Sequence, residues 1–307
     1  MNSTFSKLRI GSRGSKLALI QSQKVVSALK AVADKIEVKI VEIKTEGDRT
    51  QTESLQQIGG AGVFVKAIEQ ALLQGEIDLA VHSAKDLPSE LDPNLTITSV
   101  LRRESPRDVF ISKNNSLLNE MPDSAVIGSG SPRRIAQLLY HYPRLQFKDI
   151  RGNIETRLRK LDEGLYDGIV LAEAGITRLN LSHRITQIIP LDICMPAPGQ
   201  GIICIEALKS NRQLIELLKE INHGVSYSEL SAERAFLRIL KVGCSQPVAA
   251  LARCMDGEME IAGRIMNPKG KEIAQKKLIG EITRAEEIGE ELGRLLKPSA
   301  DKLLGSQ

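Results

Sequence analysis

Val63-Phe64-Val65-Lys66-Ala67-Ile68-Glu69-Gln70-Ala71-Leu72-Leu73-Gln74-Gly75-Glu76-Ile77-Asp78-Leu79-Ala80-Val81 is the stretch on which the fold turns. Val63 to Gln74 reads as a helix stopped by Gly75, a residue suited to the C′ position, and Ile77 to Val81 follows as a short apolar run of strand type. The same alternation precedes it. A helix is expected from about Lys16 to Val32 with Ser15 as its N-cap, and Ile36 to Ile43 alternates and is rich in Val and Ile, as a strand does. Strands alternating with helices imply a parallel α/β sheet.

The pattern restarts after Arg102-Arg103-Glu104-Ser105-Pro106-Arg107. Asp108-Val109-Phe110-Ile111, Ala125 to Ile127 and Ile169 to Ala172 are its strands, which gives a second α/β lobe. Beyond Gly224 the order changes to a helix near Ser228 to Leu240, strand-like runs at Val248 to Arg253 and Met259 to Ile265, and a charged helix. That helix opens with Thr283-Arg284-Ala285-Glu286, a capping box. The fold class expected is therefore α/β, two lobes with doubly wound sheets, plus a small α+β C-terminal domain. Lobe 1 takes residues 1–101 and 202–219, lobe 2 takes 102–201 and the last domain takes 224–307. The crossings are Leu101 to Arg107 and Leu191 to Gly201, both rich in Pro, Gly or charge.

A chain of 307 residues has room for two or three cores of the usual size. Apolar residues are 42% and charged residues 26%, which suits a folded globular protein. No run approaches the roughly 20 apolar residues of a membrane span, and Met1 to Lys7 reads as a polar lead-in, so a cytoplasmic protein without membrane partners is expected. Cys194, Cys204, Cys244 and Cys254 lie far apart with no histidines at zinc-ligand spacing, which predicts reduced thiols and no metal. Aromatic residues are only 3% and Trp is absent, so platforms for stacking single-stranded bases are not expected. The mild formal charge of +4 better suits a small anion.

Three groups of residues carry chemistry. Val81-His82-Ser83-Ala84-Lys85-Asp86 follows a strand, and ligands of α/β sheets sit at the carboxyl ends of strands. Asp86 is then expected to project into a cleft beside Lys85; by spacing alone the two read as an ordinary loop ion pair. His82 reads as a packed or hydrogen-bonded core residue. In Ile127-Gly128-Ser129-Gly130-Ser131-Pro132-Arg133-Arg134, Ser131 caps a helix and Pro132 takes its first position, an anion cradle at the positive helix end. Two arginines in a first helical turn are unfavourable unless an anion offsets them. Further arginines recur at loop and helix starts, at Arg13, Arg151, Arg157 and Arg178, where their planar forks suit carboxylates. Gly59-Gly60-Ala61-Gly62 lacks the spacing of a phosphate loop and reads as a flexible turn. Cys244 lies in the loop Lys241-Val242-Gly243-Cys244-Ser245-Gln246-Pro247, where a thiol can be reached and can act as a nucleophile; an inert thiol is the equal alternative.

These segments, in this order, resemble the porphobilinogen deaminase family across nearly the whole chain. The likeness also includes Pro106-Arg107-Asp108, Arg151-Gly152-Asn153, Gly199-Gln200-Gly201 and Ala232-Glu233-Arg234-Ala235. The resemblance implies two lobes like those of periplasmic binding proteins, and a third domain carrying a covalent dipyrromethane on Cys244 by a thioether. It implies a transferase of tetrapyrrole (heme) biosynthesis that joins four porphobilinogen molecules head to tail, releases ammonia and yields linear hydroxymethylbilane by hydrolysis. Asp86 is then the catalytic carboxylate, also touching the cofactor. Lys85, Ser83, Ser131, Arg133, Arg134 and Arg157 match cofactor-binding positions, and Arg13, Ser15, Arg151, Arg178 and Phe64 match substrate-binding ones. A monomer with no nucleic-acid partner is expected. The sequence departs from the commonest pattern at Lys16, Ala61, Gly130, Pro132 and Ser245-Gln246. Two rival readings are a non-catalytic two-lobed anion-binding protein, which leaves Cys244 and the third domain unexplained, and a nucleic-acid binder, recognised by steeply salt-dependent binding.

Overall fold

The computed structural model describes residues 5–43, 63–243 and 245–305, and only the backbone of Val63 and Phe64. The chain runs β1 (Lys7–Ser12), α1 (Lys16–Val32), β2 (Glu37–Glu42), α2 (Val63–Leu73), β3 (Leu79–Ser83) and β4 (Leu95–Val100). It continues through β5 (Asp108–Ser112), β6 (Val126–Gly128), α3 (Pro132–His141), β7 (Gln146–Lys148), α4 (Ile154–Asp162), β8 (Gly168–Ala172), α5 (Glu173–Arg178) and β9 (Gln187–Ile188). Last come β10 (Ile203–Leu208), α6 (Arg212–Lys219), α7 (Gly224–Leu240), β11 (Val248–Met255), β12 (Glu258–Met266), β13 (Ile273–Glu281) and α8 (Ala285–Leu304). Two compact units result, one of residues 1–103 and 202–227, the other of residues 104–201 and 228–307.

The first unit holds a sheet in the order β2-β1-β3-β10-β4. Alternation along the strands splits its core between two faces. Leu8, Ile10, Leu79, Val81 and Ile205 pack beneath α1 and α6, whereas Ala80 packs with Ile68 and Leu72 of α2. Ser15 caps α1 as its sequence position demands, its hydroxyl accepting from the Ala18 N–H at 3.3 Å. Gly75, with φ of +69°, ends the turn after α2 as expected of a C′ glycine.

The second unit repeats the same scheme in its own sheet, ordered β7-β6-β8-β5-β9. Phe110, Ile127, Leu138 and Val170 form one buried layer, and Val109, Ile111, Leu158 and Ile169 form the other. Neither sheet is purely parallel, contrary to the alternation of the sequence. β10 runs antiparallel to β3 and β4, and β5 runs antiparallel to β8 and β9. Both are the first strand after the chain passes from one unit to the other, and each enters its sheet from the opposite end. The other four strands of each sheet run in one direction and share one carboxyl edge.

The rest of the second unit is an antiparallel sheet, β11-β12-β13, covered by α7 and α8 around Phe236, Ile261, Leu292 and Leu296. The helices approach closely because α8 has Gly289 where any Cβ would strike the Ala232 carbonyl of α7. The capping box does not form. Ile282–Arg284 is a 3-10 turn, so α8 begins at Ala285 with Arg284 as N-cap, and Glu286 is drawn instead to Arg238 at 2.6 Å. Among the described residues no helix is long and apolar enough to cross a membrane.

Candidate active site

In the first unit β1 and β3 are neighbouring parallel strands, so the segments leaving their carboxyl ends lie at one edge of the sheet. Arg13 and Ser15 come directly after β1. Ser83 closes β3, and Ala84–Asp86 is a 3-10 turn directly beyond it. Ser83 is held by α1, its hydroxyl accepting from Gln21 Nε2 at 2.8 Å. Lys85 is half-buried and Asp86 exposed. His82, one residue earlier, points into the core and is only 6% exposed, its Nε2 lying 3.1 Å from Glu206 Oε2. Nearby on α2, burial, and then the charge of Glu206, raise the Glu69 carboxyl above its ordinary range. His82 thus takes the core role its sequence position indicates.

The second unit gathers its candidates in the same way, at the ends of the parallel strands β6, β7 and β8. β6 leads to Ser131, whose hydroxyl accepts from the Arg134 N–H at 3.4 Å, with Pro132 opening α3. A Cβ on Gly130 would lie 2.9 Å from Asp149 Oδ1, the end of a movable side chain, and 3.2 Å from the Ile150 carbonyl, so a side chain there fits only if Asp149 shifts. β7 leads to Arg151, which donates from Nε to Asp149 at 2.6 Å, and to Arg157, which donates from Nε to the Gly152 carbonyl at 2.8 Å. β8 leads into α5 and Arg178, buried and donating to Glu104 Oε2 at 2.9 Å and to the Gly201 carbonyl at 2.8 Å.

Arg133 and Arg134 do not project outward. They are 4% and 6% exposed and converge on Asp108, the first residue of β5, which is fully buried. Arg133 Nη1 donates to Asp108 Oδ2 at 2.8 Å and to the Met195 carbonyl at 2.5 Å. Arg134 donates from Nε to Asp108 Oδ1 at 3.0 Å and from Nη1 to the Val170 carbonyl at 3.1 Å. The anion that a doubly basic first turn calls for is thus supplied in part by the chain itself. Burial works against ionising Asp108, but the charges of the two arginines outweigh it and hold the carboxyl well below the ordinary carboxylate range. Burial, with the Asp108 charge beside it, pushes the neighbouring Cys194 thiol up to about 12, so it stays protonated. Two guanidinium charges against one carboxylate leave the cluster net positive.

The cluster extends in two directions. Gln200 Nε2 donates to Asp108 Oδ1 at 2.9 Å, and the adjacent Gly199 N–H donates to Glu233 Oε2 of α7 at 2.6 Å. Gln137 Nε2 donates to the Met195 carbonyl at 3.0 Å, and its Oε1 accepts from Arg264 Nη1 of β12 at 2.7 Å. Asp108, Gln200, Glu233 and Arg264 received no role from the sequence. The Pro106-Arg107-Asp108, Gly199-Gln200-Gly201 and Ala232-Glu233-Arg234-Ala235 segments were the available signal. Cys244 and Ala61 lie outside the described residues, as does the side chain of Phe64; α7 ends at Leu240 and β11 begins at Val248 on either side of Cys244.

This geometry defines a two-lobed α/β protein equipped for small ligands bearing carboxylates. The comparisons make the class specific: residues 8–216 match the porphobilinogen deaminase dipyromethane cofactor binding domain, and residues 227–298 match the porphobilinogen deaminase C-terminal domain. The chain belongs to the porphobilinogen deaminase family. It is 47% identical over 289 residues to a porphobilinogen deaminase of Syntrophomonas wolfei, covering 94% of each chain. It is 45% identical over 296 residues to one of Desulforudis audaxviator, covering 96% of each, and 45% identical over 286 residues to one of Thermus thermophilus, covering 93% of each. Among solved structures, a methionine binding protein aligns at a TM-score of 0.45 and 13% identity, over 73% of this chain and 90% of that one.

The cofactor of this family is dipyrromethane. Its acidic side chains ask for guanidinium and hydroxyl donors around a net positive charge, and the Ser131, Arg133 and Arg134 cluster with Asp108 has that composition.

Proposed function

We propose that this chain joins four porphobilinogen molecules head to tail with Asp86 as its catalytic carboxylate and Cys244 as the covalent anchor of the cofactor. The observation that carries the reading is that, in each unit taken by itself, the site residues with described side chains lie at or just beyond the carboxyl ends of parallel strands. When bound, the dipyrromethane supplies a nucleophilic pyrrole α-carbon on which the first substrate is added. Arg133, Arg134, Arg157, Ser131, Ser83 and Lys85 hold its carboxylates by charge-assisted hydrogen bonds. Arg13, Ser15, Arg151 and Arg178, with Phe64, orient the incoming porphobilinogen through its acetate and propionate. An Asp86 carboxylate oxygen stabilises the positive charge left on the substrate as its carbon–nitrogen bond breaks and ammonia departs. The same oxygen takes up the proton released when the new carbon–carbon bond forms.

The domain division keeps the lobes set out from the sequence, with residues 224–307 as the cofactor-attachment domain. The protein acts as a cytoplasmic monomer without a nucleic-acid partner. Intact-protein mass tests the anchor: the purified chain carries the added mass of dipyrromethane, and Cys244→Ala lacks both that mass and hydroxymethylbilane production. An unmodified chain with full activity overturns the reading.

A further inference from the structure

We infer that Asp108 is a positioning residue for the cofactor-binding arginines, a built-in counter-ion that sets Arg133 and Arg134 before any ligand carboxylate reaches them. The inference rests on the reading of those two arginines as cofactor-binding and deepens it. Three observations carry it. The carboxylate divides its oxygens, Oδ2 accepting from Arg133 and Oδ1 from Arg134, so each planar fork is fixed in direction by a separate atom. It sits at the start of β5, paired in register with Ala172 at the end of β8, and so belongs to the rigid sheet while the arginines belong to α3. It also accepts from Gln200, whose neighbour Gly199 donates to Glu233 of α7, the helix that precedes Cys244 in the chain.

The chemistry gives this arrangement a purpose. A guanidinium carries five donors, and Asp108, the Met195 and Val170 carbonyls and Cys194 Sγ use only part of that number. Unanchored, two like charges in one helical turn repel and swing apart. Anchored, they meet an arriving carboxylate without reorganising. One carboxylate against two guanidinium groups is the ratio that fixes both while leaving attraction for a further anion.

The test compares full-length Asp108→Asn, Asp108→Glu, Arg133→Leu and Arg134→Leu with the parent. Intact mass gives the fraction carrying dipyrromethane, normalised to folded protein by circular dichroism. Asp108→Asn should load at least tenfold less per folded molecule. Its loaded fraction should show kcat down at least tenfold with KM for porphobilinogen within twofold, because the incoming substrate is held elsewhere. Asp108→Glu should fall between Asn and parent although glutamate is the bulkier residue in a fully buried site; a role in packing alone predicts the reverse order. If the Asn variant loads and turns over as the parent does while the arginine variants lose cofactor, the Asp108 assignment is wrong and the arginine reading stands. If both arginine variants load normally, the reading beneath it has failed as well. Should Asn not fold, Glu decides alone: parent-like loading and kcat there overturn the inference.

Discussion

The strand-edge regions of the two units use the same topology but differ in how deeply their charged groups are set. In the first, the carboxylate assigned to chemistry stands exposed on a 3-10 turn. In the second, Arg133 and Arg134, proposed above as cofactor-binding, are buried and already engaged with Asp108 and backbone carbonyls. The difference teaches that reacting and holding make different demands. On the role proposed for Asp86, a group that meets the carbon–nitrogen bond of each new substrate gains from exposure. Groups that must hold one ligand throughout gain from being fixed beforehand.

The comparison breaks most visibly at Asp86. Asp86→Asn should lower kcat by about 10²–10⁴-fold, the usual worth of a positioned acid–base group, while the melting temperature stays put because the side chain is exposed. Steady-state kinetics and calorimetry on one preparation read both, and an Asn variant that melts earlier than the parent places Asp86 among the structural groups.

The mirror-image result is expected at Arg134→Leu. There stability should drop by about 3–5 kcal/mol, since Asp108 is left buried with half its counter-charge. Chemical denaturation measures it; a loss below about 1 kcal/mol means that water or Arg133 takes over the carboxylate.

Acid sharpens the same contrast. Because the folded-state value of Asp108 is depressed, its contribution is fully present above the ordinary unfolded value of about 4 and is lost as pH falls through the folded one. Unfolding free energy should therefore decline steeply below about pH 4, and Asp108→Asn should flatten that decline. Equal slopes in parent and variant assign the acid sensitivity to other carboxylates.

The smallest effect is expected where the two regions are alike. Ser15→Ala and Ser131→Ala each remove a helix N-cap whose hydroxyl accepts from the N–H three residues on, and each should cost about 1 kcal/mol. A markedly larger loss for Ser131 shows that its hydroxyl also supports the arginine cluster.

Local features were legible in the sequence. Ser15, Gly75, Ser131 and Pro132 occupy the cap and turn positions their chemistry demands, because those preferences are settled within a few residues. Long-range features were not. Nothing near Asp108 announces that its partners lie 25 and 26 residues further on, so it read as the head of an apolar strand. The sequence likewise showed Arg133, Arg134 and Arg178 only as arginines at loop and helix starts, because the carboxylates they pair with lie 25 to 74 residues away. β13 escaped because Lys276 and Lys277 interrupt its apolar alternation on an exposed strand. The capping box failed because Arg238, on another helix, offered Glu286 a stronger partner.

The strand order of the first sheet has a consequence for synthesis. Among the described residues β4 pairs only with β10, which is encoded after the whole of β5 to β9. On the ribosome the later-encoded sheet, β7-β6-β8-β5-β9, can close first, while Leu95–Val100 waits without a neighbour for roughly 5–20 s at ordinary translation rates. Nascent chains arrested shortly before β10 emerges should thus resist protease across residues 108–188 yet be cut within residues 95–100; protection of both stretches at that length rules out this order of assembly.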